Sequence, residues 1–361
     1  MKYIPQIEPS IGDEEVRHIT EVVRSTFITE NRKTEEFLGH IKEITGAPYA
    51  LAMSNGTLAL VASLLAEEIG RGDEVVVPDL TFIASANAVR LVGAEPVFCD
   101  VDRTTGCIRR QDCEAVLTPK TRAIMPVHLY GQAANMDDLS ALASERNLPL
   151  LEDAAEALGV HWRGRHVGTF GAYGVFSFFA NKVMTCGEGG VVLTDSEERY
   201  RRLFRIKNHG RDRKGIFVHH HFGYNFSFTD LQAAIGVAQA EKFEKLMRRK
   251  RANYEYYLKH LADIEELTLV KVPDNVKSNY WFVNVLVPDP DELAEYLEVR
   301  GIGTRRLFYP MSRQPCYGGG AQGKFENADW LYEHGLSLPS GATLAEEDLL
   351  RICTGIKEFF V

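Results

Sequence analysis

Gly174 to Thr194 reads Gly-Val-Phe-Ser-Phe-Phe-Ala-Asn-Lys-Val-Met-Thr-Cys-Gly-Glu-Gly-Gly-Val-Val-Leu-Thr. In order, these residues are an apolar β run, a loop holding one amine at Lys182, a glycine turn from Gly187 to Gly190 and a second β run from Val191. Aromatic bulk strips an ammonium of water and lowers its pKa, leaving a neutral amine able to attack a carbonyl. The glycines permit positive φ and close approach of the backbone. A lone lysine near glycines is more often an ordinary surface residue, so the reading depends on what lies upstream.

Two upstream stretches agree with it. Pro149 to Asp153 is a short apolar strand whose acidic end, Glu152 and Asp153, falls at the rim where open α/β sheets bind ligands, and a carboxylate there can pair with a cation. Tyr49 to Met53, then Ser54, Asn55, Gly56 and Thr57, then the apolar run Leu58 to Ile69, reads as strand, tight turn and helix start. Free N–H groups and the positive end of the dipole at such a start suit a phosphate. One by one these residues are common caps. Together they describe one ligand with a phosphate, a cationic ring and an aldehyde.

Helical and apolar β runs alternate along the chain. Helices are expected at Asp13–Ser25, Ile83–Leu91 and Met136–Glu145, and strands at Glu74–Val77, Pro96–Cys99, Arg122–Pro126 and Leu148–Leu151. The alternation predicts an α/β fold with a mostly parallel sheet covered by helices. A long helical pattern runs from Thr229 to about His260, followed by a β run Trp281–Val287, a helix Pro290–Arg300 and a terminal helix near Ala345–Phe360. This places a large ligand-binding domain at 1–249 and a smaller α+β domain at 250–361. Gly318 to Gly320 is expected to be a surface loop.

The chain has 361 residues, with 41 Lys plus Arg against 50 Asp plus Glu. That acidic balance argues against nucleic acid as a partner, and the basic run Arg248 to Arg251 is expected to be a solvated helix face. Six cysteines without CxxC spacing and an N-terminus without a basic-then-apolar leader indicate a reduced, cytoplasmic enzyme. The uncharged run Ile44–Ala66 is long enough to span a membrane, but Pro48 and the polar turn at Ser54 to Thr57 make it a strand and a helix. His219, His220 and His221 are adjacent and share no face, so no metal site is expected.

The ordered motifs Ser54–Leu60, Pro78–Asn87, Pro126–Gly131, Glu152–Gly159, Phe176–Gly190 and Gly223–Gly236 carry a resemblance from about Pro9 to the C-terminus. The chain resembles the pyridoxal-phosphate-dependent nucleotide-sugar aminotransferases of the DegT type, within the type I fold of aspartate aminotransferase. The resemblance implies pyridoxal 5′-phosphate bound covalently at Lys182, with Asp153 on its pyridine nitrogen and Phe82 stacked on its ring. It implies a phosphate held by Gly56, Thr57, Ser177 and, from a partner subunit, Asn225, in a homodimer with shared active sites. Glu156 stands where many members have Gln, and would meet the phenolic oxygen. Ser227 stands where members often have Arg, so any role of that arginine is absent here.

Pro78–Asn87, Ile206–Gly210, Phe308 to Pro310 and Gln314–Pro315 are most similar to the perosamine-forming branch. That branch implies amination of a nucleotide-linked 4-keto-6-deoxy sugar, with glutamate as donor and Lys182 as both covalent anchor and general base. Relatives that remove a sugar hydroxyl carry His at the Lys182 position, which favours transamination. The alternatives are the same chemistry on another keto-sugar, at C3 or on a UDP or dTDP sugar, and a non-catalytic cofactor-binding regulator on the same fold.

Overall fold

The computed structural model describes residues 2–361 except 214, 216 and 319–322. The expected loop at Gly318 to Gly320 therefore lies mostly outside the described residues. Seven strands form the central sheet: β1 (Tyr49–Met53), β2 (Glu74–Pro78), β3 (Glu95–Cys99), β4 (Thr121–Ile124), β5 (Leu151–Asp153), β6 (Tyr173–Ser177) and β7 (Gly190–Thr194). Parallel ladders join β3, β2 and β4, and parallel bridges Ile124↔Leu150 and Val127↔Asp153 carry the sheet on to β5. β6 pairs parallel with β5, then β7 antiparallel with both β6 and β1. The order is thus β3-β2-β4-β5-β6-β7-β1, and only β7 runs against the rest. The mostly parallel sheet read from the sequence is the one observed.

Helices cover both faces, which is why the strands are continuous apolar runs. Val76 packs in one core with Phe37 and Ile41 of α2 (Arg32–Thr45). Its neighbours Val75 and Val77 pack in the other, with Leu60 and Leu64 of α3 (Gly56–Ala66) and Ala86 and Val89 of α4 (Ala84–Leu91). The alternation is the two-residue period of a strand. α3 is buried on nearly every side, so its N-terminus is held rigidly at the end of β1.

Two expected elements differ. Residues 148 and 149 do not extend β5, because Asn147 takes a left-handed conformation (φ 53°) and Leu148 N–H closes the preceding helix onto the Ala143 carbonyl, whereas Leu150 already pairs with Ile124. The pattern from Thr229 to His260 is two helices, α5 (Asp230–Glu241) and α6 (Phe243–His260). Lys242 leaves helical geometry between them (φ −107°, ψ 10°), and its ammonium reaches Glu15 at 2.7 Å.

A second sheet, all antiparallel, follows: β8 (Thr268–Leu269), β9 (Val283–Leu286), β10 (Arg305–Arg306) and β11 (Gly335–Leu338), in the order β8-β9-β11-β10. Its core joins Val283, Val285, Leu336 and Leu338 to Leu293 and Leu297 of α7 (Pro290–Val299) and Ile352 and Ile356 of α8 (Glu346–Phe359). α6 sends Phe243 into the large core and Tyr254 and Tyr257 into this one, and Ile4 joins the smaller core beside Ile302.

The basic run on α6 divides. Arg251 is exposed and pairs with Glu255 at 2.8 Å, whereas Lys250 points inward and is buried, contrary to the expected solvated face. Carbonyls from two loops converge on its side of the helix, which no charge pattern in sequence reveals. His219, His220 and His221 are all exposed. Among the described residues no group of His, Cys, Asp or Glu could hold a metal ion, and no helix is long and apolar enough to cross a membrane.

Candidate active site

β5 and β6 end side by side, and the loops that follow them carry the chemistry. Lys182 sits in the turn after β6, its N–H closing onto the Phe179 carbonyl at 3.0 Å. Its Nζ lies 3.7 Å from Glu156 Oε1 and 4.0 Å from the centre of the Trp281 ring, with the side chain 14 % exposed. Burial lowers the lysine's pKa, and the nearby carboxylates of Glu156 and Asp153 partly restore it. The depressed amine expected from sequence is therefore present, but the aromatic face against it is Trp281, from the loop leading into β9.

Asp153 ends β5 and is buried, which raises its pKa, although Ser85 Oγ donates to Oδ2 at 2.7 Å and Ala155 N–H to Oδ1 at 3.1 Å. It caps no helix, because turns follow it. The strand end is braced behind it. His128 N–H donates to the Asp153 carbonyl, and its Nδ1 accepts from Ala134 N–H, which leaves Nε2 to donate to Glu152 at 3.0 Å. Glu152, fully buried, also accepts from the N–H groups of Gly168, Phe170 and Gly171.

Glu156 is pushed up to about 7, chiefly by burial, and its Oε2 accepts Tyr130 N–H at 2.8 Å. Tyr130 reaches that position in the left-handed region (φ 54°, ψ 24°), a conformation costing a bulky residue on the order of 1–3 kcal/mol. Its ring stacks with those of Phe308 and Phe282, and its hydroxyl accepts Phe308 N–H at 2.8 Å, so packing against segments distant in sequence holds the strained turn.

The opposite wall is the start of α3. Asn55 caps it by accepting Leu58 N–H at 2.9 Å. A Cβ at Gly56 would stand 3.0 Å from Ser177 Cβ, and one at Gly190 would collide with the Asn55 carbonyl, so glycine at both places lets the helix start sit against β6 and β7. Gly56, Thr57, Phe82, Asp153, Glu156, Ser177 and Lys182 all line one cavity of about 610 Å³. Trp281, Arg305 and Phe308, from the loop before β9 and from β10 and the loop after it, close it, and none of the three is a site residue in the sequence reading. Nothing local marks them; only Phe308 fell within a motif carrying the resemblance.

Asn225 does not line this cavity. It is exposed, its backbone bridges to Asn208, and its Oδ1 accepts Ser227 N–H at 3.2 Å. Ser227 is exposed as well. The segment is nonetheless tied to the β1–α3 turn, because Ser54 N–H donates to the Phe226 carbonyl at 3.1 Å.

Known proteins share this fold. The sequence pattern of the DegT/DnrJ/EryC1/StrS aminotransferase family matches residues 9–357. A GDP-perosamine synthase of Escherichia coli O157:H7 is 39 % identical over 100 % of this chain and 99 % of its own, and one of Vibrio cholerae is 35 % identical over 99 % of each. Among solved structures, the aminotransferase TlmJ from Streptoalloteichus hindustanus superposes with a TM-score of 0.94 at 29 % identity, covering 98 % of both chains. S. venezuelae DesV does so with a TM-score of 0.93 at 30 % identity, covering 99 % of both.

Proposed function

The chain belongs to the DegT/DnrJ/EryC1/StrS aminotransferase family, and from that premise we propose that it transfers an amino group from glutamate to C4 of a GDP-linked 4-keto-6-deoxy sugar. It is a nucleotide-sugar aminotransferase, and its cofactor is pyridoxal 5′-phosphate. One observation carries the site reading: a lysine of lowered pKa, a buried carboxylate at a strand end and a helix N-terminus face one another across a single cavity.

The residues fit the cofactor. Gly56 lets the start of α3 approach Ser177 at the cavity wall, where free N–H groups of the helix suit a phosphate, and the buried Asp153, short of a cation, suits a protonated ring nitrogen. Gly56, Thr57 and Ser177 would hold the phosphate, Phe82 would stack on the ring, Glu156 would meet the phenolic oxygen, and Lys182 would bond the aldehyde. When bound, the cofactor supplies an electron-withdrawing ring that stabilises charge on the carbon losing its proton. Asp153 keeps the ring nitrogen protonated by ion pairing. Lys182 Nζ, once freed, takes the proton from the donor's α-carbon and later delivers one to the sugar carbon; its lowered pKa leaves part of the amine neutral for that task. Trp281 and Phe308 keep water from the amine.

A homodimer completes the proposal, with Asn225 reaching the phosphate in the neighbouring chain's site. Phe217, Phe222 and Tyr224, just before Asn225, are largely exposed, as apolar residues at a subunit contact are before assembly. A reducing cytoplasm suits the six unbonded cysteines.

The test is mass spectrometry of products from glutamate and a panel of keto-sugar nucleotides, with borohydride reduction to locate the cofactor lysine. A 4-amino GDP sugar and a label on Lys182 are expected. Amination at C3 only, or turnover only with UDP or dTDP sugars, would refute the sugar assignment while leaving the reaction class intact.

A further inference from the structure

Lys250 stands on α6 within a run of four cations, yet it is 3 % exposed and fully inside the protein. Its Nζ lies 2.8 Å from the Trp281 carbonyl, 2.9 Å from that of Ser340 and 3.4 Å from that of Tyr280. Among the described residues no carboxylate pairs with it. Burial without a counter-charge pushes the pKa of Lys250 down to about 7, and is unfavourable enough that an apolar side chain would serve better if packing were all that mattered. What an apolar side chain lacks is donors for main-chain carbonyls that converge here from two loops, one leading into β9 and one leaving β11.

Trp281 is the residue those bonds fix. Its carbonyl accepts from Lys250 and from Ser340 Oγ, the latter at 3.0 Å, and its N–H donates to Asn279 Oδ1 at 2.9 Å. Its indole N–H donates to the carbonyl of Asn181, the residue before Lys182, at 2.7 Å, while its ring lies 4.0 Å from Lys182 Nζ. One residue therefore separates the buried side chain of Lys250 from the amine of Lys182.

We propose that Lys250 is a positioning residue for the amine site: by gathering the carbonyls of Trp281 and Ser340 it fixes the Trp281 indole against Lys182 and keeps water off that amine. The proposal rests on Lys182 being the cofactor lysine. Lys250 touches neither the cavity nor its ligands; it acts through Trp281.

The test uses cofactor-free full-length protein as wild type, Lys250→Met, Lys250→Gln, Trp281→Phe and the double variant Lys250→Met/Trp281→Phe. Each is treated with an amine-reactive label across a pH series, and labelling at Lys182 is read by peptide mass spectrometry. Glu156, Asp153 and Arg305, the charged groups facing Lys182, are unchanged throughout. Lys250→Met is expected to raise the labelling midpoint by at least ~0.5 pH unit, about threefold in amine acidity, because water reaching the amine relieves its burial. Binding of pyridoxal 5′-phosphate weakens at least about threefold in the same variant.

Lys250→Gln, shorter and with two N–H donors for three carbonyls, gives a smaller shift in the same direction. Trp281→Phe gives a shift of its own, to which Lys250→Met adds little in the double variant, as expected of residues acting in series. If Lys250→Met does not fold, Lys250→Gln and Trp281→Phe decide the matter alone. A folded Lys250 variant that melts earlier but keeps the wild-type midpoint and affinity overturns the proposal, as does an unmoved midpoint in Trp281→Phe. Borohydride reduction of the loaded wild type runs in parallel; a label on another lysine overturns the assignment of Lys182 instead.

Discussion

Replacing Glu156 by Gln isolates the charge that holds the reactive amine. Glu156 Oε1 stands 3.7 Å from Lys182 Nζ, and its attraction is the first of the effects opposing the burial that lowers the lysine's pKa. At that distance and an effective dielectric of ~20, two unit charges attract by roughly 4 kcal/mol, equivalent to about three pKa units. Asp153 keeps its own attraction for the amine, so the lysine's pKa is expected to fall further while part of its carboxylate support remains. The sign follows from both groups. Glu156 is itself pushed up to about 7, so its charge is present only above that pH, whereas Gln is neutral throughout. Above pH 7 the variant amine therefore titrates lower, and its neutral fraction at pH 8 rises. Gln presents an oxygen where Glu156 accepts Tyr130 N–H, so the left-handed turn at Tyr130 is retained. The assay is the pH dependence of labelling at Lys182 in cofactor-free protein, with circular dichroism as the control for folding. A midpoint within ~0.3 unit of wild type, or a higher one, would show that Glu156 does not govern the amine.

Asp153→Asn should accept Ala155 N–H with its amide oxygen and donate from its amide nitrogen to Ser85 Oγ, fold, and retain cofactor, yet lose most of the transamination rate in single-turnover absorbance; near-normal turnover would remove Asp153 from the chemistry. Mixing inactive Lys182→Ala with inactive Asn225→Asp under conditions that exchange subunits should restore roughly a quarter of wild-type activity, because each mixed dimer keeps one intact site. No recovery, with exchange confirmed by native mass spectrometry, would place Asn225 outside the neighbouring site. Asp79, buried and bonded to Ser312 N–H at 2.6 Å, has its carboxyl pushed up to about 7 by burial. Its folded form holds a proton that the unfolded chain gives up near pH 4, so the stability it contributes is lost as pH climbs from about 4 to 7. Asp79→Asn should flatten the urea-unfolding profile across that window by at most about 4 kcal/mol; an unchanged slope would contradict the burial argument.

The features legible in the sequence are those that neighbours along the chain decide. Val75 to Val77 announce a strand covered on both faces, and Asn55 with Gly56 and Thr57 announces a helix start, because periodicity and capping are local. Lys182, Asp153 and the α3 start could be placed together because each ends or follows a strand of one sheet, and open parallel sheets gather such ends at one rim. Asn225 shows where this reasoning stops: its segment was recognised, but within its own chain it faces solvent and not the cavity.

Only the tertiary structure decided what surrounds the amine. Trp281 meets Asn181 across a separation of 100 residues, and Arg305 and Phe308 arrive from a lobe with a sheet of its own. Lys250 is the sharpest case. The run Arg248 to Arg251 predicts solvent at every position, yet the convergence of the Trp281 and Ser340 carbonyls turns one of the four inward. Sequence by itself determined the sheet and the helix start, because hydrophobic period and backbone capping act over a few residues. The pKa of Lys182, the charge state of Glu156 and the inward turn of Lys250 depend on water being excluded by side chains distant in sequence, so only the folded chain could set them.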